Sequence, residues 1–278
     1  MARRFALARL LFFAASLTVV HASLRELARA DDATSLTVRD NVYTFASPGN
    51  AVGPWYALKL DVDHAFPRDE LLLRVANGFH DQAKPEHGEF VRLEEYHRLS
   101  PAILVKVAGG LGSGYQPIRS SVAEVSAAVP GVRGVALALG EVVTTNHNES
   151  FQRIVALGPD VACGAFVANL RYYHATLSTG VVAPPSYEML AGMRLAKRAT
   201  LGAIVDLGGE VGGDRTASQL PTSSGLYGPA YGLSGSYGAG PLRIVAAYQE
   251  GDYRSARTGA LAYRQYVTTF GVAAAVGR

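Results

Sequence analysis

Beyond residue 35, apolar and polar positions alternate with a period of two, the mark of a strand with one dry and one wet face. Between positions 56 and 63, Tyr56, Leu58, Leu60 and Val62 fall on one side, and Lys59, Asp61 and Asp63 on the other. The pattern recurs with Ile103, Val105 and Val107 opposite Lys106, and with Val135, Leu137 and Leu139 opposite Ala136 and Ala138. Met189, Ala191, Met193 and Leu195 oppose Glu188 and Arg194, while Leu201, Ala203, Val205 and Leu207 oppose Gly202 and Asp206. No helical stripe competes with this signal after the first 30 residues. It predicts fourteen strands, over 35–46, 54–66, 69–80, 88–98, 101–111, 117–128, 132–144, 149–158, 161–175, 185–197, 199–211, 225–238, 241–253 and 262–276.

The joins between these strands alternate in length. Tight ones at 67–68, 100–101, 130–131, 159–160, 198 and 239–240 are interleaved with longer polar segments at 47–53, 81–87, 112–116, 145–148, 176–184, 212–224 and 254–261. Outer-membrane barrels have short periplasmic turns, longer outer loops and an even strand number. Hydrocarbon offers no partner to backbone N–H and C=O groups, so such a sheet must close on itself. The expected fold is therefore all-β: a closed antiparallel transmembrane β-barrel of about fourteen strands, with twelve as the alternative. Fourteen is preferred because the long loops face outward only if the weak strand at 35–46 is counted. Two aromatic girdles are expected, one of Trp55, Tyr56, Phe79, Tyr115, Tyr172, Tyr187, Tyr253 and Tyr263 beside the long loops, the other of Phe66, Tyr96 and Tyr237 beside the short turns. A water-soluble β-sandwich also alternates, but has no need for alternating loop lengths. On the barrel reading, a charge at outward Leu137 costs more than one at inward Ala138.

Composition agrees. Of 278 residues, 49% are apolar and 18% charged, which excludes a disordered chain. No later run reaches the roughly 18–20 apolar residues that a spanning helix needs. At the N-terminus, Arg3, Arg4 and Arg9 accompany an apolar run at 10–20, followed by small residues at Ala22 and at Ala28 and Ala30. This predicts a cleaved secretory signal over 1–30 and a barrel over 31–278. Five of the 26 Lys and Arg lie in that signal with one of the 23 Asp and Glu, so the mature chain is close to neutral. No basic footprint remains for nucleic acid. The expected location is the outer membrane of a Gram-negative cell, and the expected partners are outer-membrane lipids, lipopolysaccharide and the barrel assembly machinery. Cys163 stands alone, which excludes an internal disulfide.

Several segments in sequence order resemble the YaiO-type outer-membrane barrel family. They are Leu99-Ser100-Pro101 leading into a strand that ends GGLGSG, the start Tyr115-Gln116-Pro117-Ile118-Arg119, the strand Asn169-Leu170-Arg171-Tyr172, and Leu207-Gly208-Gly209-Glu210-Val211. The resemblance spans nearly the whole mature chain. It implies an exported barrel, with some members similar to polysaccharide-associated proteins.

The residues expected to face the lumen are Lys59, Asp61, Asp63, Arg74, Arg92, Glu94, Lys106, Arg119, Glu124, Glu188, Arg194, Asp206, Glu210 and Arg243. Such a set either forms cross-lumen ion pairs or lines a wet channel. The first function expected is an integral outer-membrane pore, or part of envelope or polysaccharide export. The alternative is a closed structural or surface-interaction barrel. An outer-membrane lipid-modifying enzyme using His174 and Ser178, or His64 with Asp61 and Asp63, is the least favoured reading; no catalytic residue is assigned. His80, Asp81, Glu86 and His87 share a loop segment, where solvation accounts for them without a metal. Gly109–Gly114 lacks the Lys-Ser/Thr of a phosphate loop, so no cofactor is expected.

Overall fold

The computed structural model describes residues 33–46, 54–81, 86–146, 151–177, 185–208, 226–239, 241–255 and 258–276. The expected signal at 1–30, Ser178, Glu210 and the 212–224 loop lie outside the described residues. The elements are β1 (Ala33–Ala46), β2 (Trp55–Ala65), β3 (Asp69–His80), β4 (Glu86–Ser100), β5 (Ile103–Gly112), β6 (Arg119–Ala128), β7 (Val135–Thr145) and β8 (Phe151–Cys163). They continue with β9 (Phe166–Leu177), β10 (Ser186–Ala196), β11 (Ala199–Gly208), β12 (Leu226–Tyr227), β13 (Ala230–Ala239), β14 (Leu242–Ser255) and β15 (Leu261–Val276).

Each long strand pairs antiparallel with the next, and β11 pairs with β13. The two-residue β12 lies outside this ring, against the end of β14. β1 meets β15 from Thr34↔Val276 to Ala46↔Arg264, and β15 also pairs with β14, so the fourteen long strands close into a barrel. No helix among the described residues is long and apolar enough to cross a membrane.

Strand parity sorts side chains to two surfaces, and the registers carry each surface around the ring. On one face, Leu137 has Ala127 and Pro159 as neighbours; on the other, Ala138 has Ser126 and Gly158. The first face is strongly exposed and apolar, with Leu111 at 66%, Leu137 at 54% and Leu233 at 62%. The second holds buried Arg74, Arg92 and Glu94. Polar groups inside and large apolar groups outside invert the water-soluble arrangement.

One predicted join is misplaced. The chain does not turn at 159–160: β8 runs on to Cys163, and the turn is made by Gly164 and Ala165, with Gly164 at φ +60°. Proline lacks the N–H that a ladder needs, and the β8–β9 register has no bridge between Leu157↔Tyr172 and Asp160↔Asn169. Arg171 fills that gap. Its Nη1 donates to the carbonyls of Pro159 and Leu170 at 3.2 Å and of Gly158 at 3.5 Å. A Cβ on Gly158 would lie 1.8 Å from Leu170 O, so glycine permits this close approach.

The expected girdles also need correction. Tyr56, Tyr172 and Tyr187 do face outward near the long loops, and Phe66 and Tyr237 near the short turns. Trp55 and Tyr253, at 4% and 5% exposure, together with Tyr115, Tyr263 and Tyr96, are inside.

Candidate functional site

The inner wall of β1–β5 carries a continuous ion network. Arg39 and Arg74 both bind Asp61, the latter through Nε at 2.7 Å. Arg74 Nη1 also reaches Glu94 Oε1 at 3.5 Å, while Lys106 Nζ lies 3.0 Å from Glu94 Oε2. Arg92 Nε approaches Glu94 Oε1 at 3.2 Å without the alignment of a hydrogen bond. The Tyr96 hydroxyl donates to Glu94 at 3.1 Å, and its ring lies beneath Lys106 Nζ. Glu94, 1% exposed, thus holds three cations in a buried part of the wall. Cross-strand placement makes this possible, since Asp61, Arg74 and Arg92 are direct neighbours in register on β2, β3 and β4.

A second network lies on β6, β8 and β9. Arg171 Nη2 pairs with Asp160 at 2.7 Å and reaches Glu124 at 3.6 Å. Asn169 and Ser126 donate to the remaining lone pairs of Asp160 at 2.6 and 3.1 Å. Farther round, the Tyr173 hydroxyl donates to Glu188 at 2.9 Å and Gln249 Nε2 to Asp206 at 3.4 Å.

At the long-loop end, six rings form a chain inside the barrel mouth. Tyr253 contacts Tyr263 at 5.0 Å, Tyr263 contacts Phe45 at 5.7 Å, and Phe45 contacts Trp55 at 4.6 Å. Trp55 stacks on His80 at 3.9 Å, and His80 on Tyr115 at 3.6 Å. Tyr115 belongs to the connection between β5 and β6, which folds inward instead of projecting out. Gly78 and Gly88 make room for it: a Cβ on Gly78 would stand 1.7 Å from the Tyr115 hydroxyl, and one on Gly88 2.9 Å from the Tyr115 ring and from Gln116 Cγ. Gly114, at φ +65°, supplies the reversal, and Ser113 N anchors the loop on Glu89 O at 2.9 Å. Burial pushes the Tyr115 hydroxyl above its ordinary pKa, so it stays neutral at physiological pH. The glycine-rich segment that the sequence left without a role is the seat of this loop.

The lumen is not filled evenly. Against β9–β11 and β13–β15 lies a cavity of about 650 Å³, whose lining includes Val167, Leu190, Gly192, Arg194, Gly202 and Ile204.

No family model and no curated protein matches this chain. Solved structures do match in shape. A protein named as the CymD monoaromatic hydrocarbon channel superposes with a TM-score of 0.60 at 9% identity, covering 91% of each chain. A bacterial polysaccharide outer-membrane secretin gives 0.52 at 8% identity, covering 87% of this chain and 98% of its own. The fold is that of an outer-membrane β-barrel.

Within this barrel, Lys59, Asp61, Asp63, Arg74, Arg92, Glu94, Lys106, Glu124, Glu188, Arg194, Asp206 and Arg243 occupy the inner face by register. They do not converge on one point. Arg194 and Arg243 lie near the short turns, away from both networks, and Arg243 donates to Ser236 at 3.3 Å. Arg119 is a correction: it pairs with Thr145 and Leu111, is exposed, and faces outward. It stands five positions before inward Glu124, an odd offset that places the two on opposite sides of β6. Arg39, Asp160 and Arg171 were missed. Arg39 sits in the polar series Ser35, Thr37, Arg39, Asn41, whereas the misplaced turn at 159–160 removed Asp160 from the wall.

Among the described residues, the alternative chemistries do not assemble. His64 faces away from Asp61 and Asp63 and bonds Thr34 Oγ1 at 2.7 Å, and His174 is exposed on the outer face. His80 is held between rings while His87 bonds Asn77 at 3.1 Å, so these two histidines do not share a ligand position. Among the described residues, the group with metal-ligand spacing is Asp69, Glu95 and His97, outside the barrel near the short turns.

Proposed function

We propose that this protein is an integral outer-membrane channel, exported by its N-terminal segment and inserted with its long loops outward. The observation that carries the reading is the exposed apolar belt around a closed ring whose buried charges are turned inward. On a water-soluble protein such a surface would drive association; in hydrocarbon it is the stable arrangement. The recessed wall supports a lumen that admits solute, and the inward-folded β5–β6 connection supports a gated mouth. We also attribute to it, from the YaiO-type resemblance, a part in envelope or polysaccharide export, with lipopolysaccharide and the assembly machinery as partners.

The test is single-channel conductance of the refolded mature chain in planar bilayers, with heat-modifiable gel migration as the folding control. Discrete conductance steps are expected, with a larger unit step in Tyr115→Ala, which removes the ring that closes the stack on His80. Folded wild-type and Tyr115→Ala protein that both pass no current would overturn the channel and leave a closed structural barrel, a reading favoured by the tightness of the Glu94 network.

A further inference from the structure

The cavity against β9–β11 and β13–β15 differs chemically from the rest of the lumen. Elsewhere acids and bases are interleaved around the inner face. Among the described residues lining this cavity there is one charge, Arg194, and no carboxylate. Its body is apolar and small-sided: Val167, Leu190, Ile204, Ala247 and Val267 surround a floor in which Gly192 lies opposite Gly202, and Gly202 opposite Ser234. Arg194 stands two residues beyond Gly192 on β10, hence on the same face, at the short-turn end. Arg194 is exposed and, among the described residues, enters no ion pair, Thr200 across the β10–β11 ladder being uncharged. Asn169 and Gln249 add amide groups on the rim, each already engaged by a carboxylate, Asp160 and Asp206 respectively.

We infer that this cavity is a binding site for a small amphipathic carboxylate, with its apolar body against Val167, Leu190 and Ile204 and its carboxylate on Arg194. The volume lies within the roughly 300–1,000 Å³ of small-molecule sites. The arrangement fits their usual chemistry, an apolar lining with few polar groups that fix orientation. Arg is suited to the anionic end because its planar fork matches a carboxylate with two parallel hydrogen bonds. A neutral solute of the same shape would bury the same surface but leave the guanidinium without a partner. This inference rests on the channel reading for its purpose, while the binding itself requires only the folded barrel.

The experiment titrates 4-fluorobenzoate with the refolded protein in detergent, followed by fluorine NMR, with protein-free micelles as the blank. Saturable binding is expected, weakened roughly tenfold or more in Arg194→Gln, as befits the loss of a charge-assisted hydrogen bond. Gly192→Leu should weaken it too, by filling the recess; its added Cβ meets the Val167 Cγ2 methyl at 3.3 Å and Leu201 O at an ordinary 3.9 Å, so folding is retained and is checked by heat-modifiable migration. Arg243→Gln, an inward Arg outside the cavity, should bind as wild type. Absence of saturable binding, unchanged affinity in Arg194→Gln, or equal loss in Arg243→Gln would each overturn the site. A barrel that conducts but fails these titrations loses this inference alone, whereas one that binds and never conducts loses only the channel.

Discussion

Replacing Glu94 with Gln should destabilise the folded barrel by about 3–5 kcal/mol, the usual cost of removing one partner from a buried ion cluster. The size follows from what is left behind. Arg74, Arg92 and Lys106 converge on this one carboxylate, and the first two are themselves 7% and 4% exposed. Gln preserves the volume and an acceptor for the Tyr96 hydroxyl, so the loss reports charge and not packing. Urea unfolding in lipid vesicles measures it, with Trp55, the sole tryptophan, as the fluorescent reporter. The double variant Glu94→Gln/Lys106→Met should recover part of the loss, because one of the stranded cations is gone. Glu141→Gln serves as the contrast: its Arg153 pair is exposed on the outer face, and the unfolding midpoint should barely move. Equal effects at Glu94 and Glu141 would mean that water reaches the inner wall freely.

The second large effect is expected at Leu137→Arg. Leu137 is 54% exposed and central in the outward run Val135, Leu137, Leu139, before the polar Glu141. A guanidinium there must enter hydrocarbon or drag the bilayer surface inward, and the cost near the midplane is roughly 2–4 kcal/mol. The same titration in vesicles reads it, and the penalty should shrink in detergent, whose thin apolar layer lets the charge reach water. The sequence makes Ala138 the natural permissive control, but the structure removes that role. Ala138 is 1% exposed, between Ser126 and Gly158 on the inner face, so a large side chain there overpacks the wall. Ala128, inward and exposed near the short turns, is the better comparison. A cost at Ala128 equal to that at Leu137 would reverse the assignment of faces.

Most of the barrel was legible because period-two alternation is a local signal that strand parity transmits directly to the two faces. Asp61, Arg74 and Glu94 could be assigned inward from their immediate neighbours alone. What failed needed information from another strand. The Gly158-Pro159 step reads locally as a turn, and only Arg171, on the neighbouring strand, supplies the donor that lets β8 continue. Trp55 and Tyr253 read as girdle residues because aromatic rings near loop ends usually face lipid, yet the register places them with Tyr43 and Tyr263 inside. The role of the glycine run could not be inferred, since its purpose is to let a loop fold over Gly88 on the adjacent strand and Gly78 on the one beyond. Arg119 is excluded from the inner face by parity with Glu124 on the same strand, without any information from a neighbour.

The seam between β1 and β15 sets a condition on how the molecule is made. It joins residue 34 to residue 276, so the pairing that abolishes the last edges is also the most distant along the chain. Loop-closure entropy for such a contact is met before any of its hydrogen bonds form, which makes ring closure slow. Until β15 arrives, β1 and β14 both present unsatisfied backbone to any other strand nearby. A ribosome stalled before residue 261 would therefore release a sticky open sheet rather than a smaller barrel, and fidelity of synthesis to the final strand matters more here than in a helical protein of equal length.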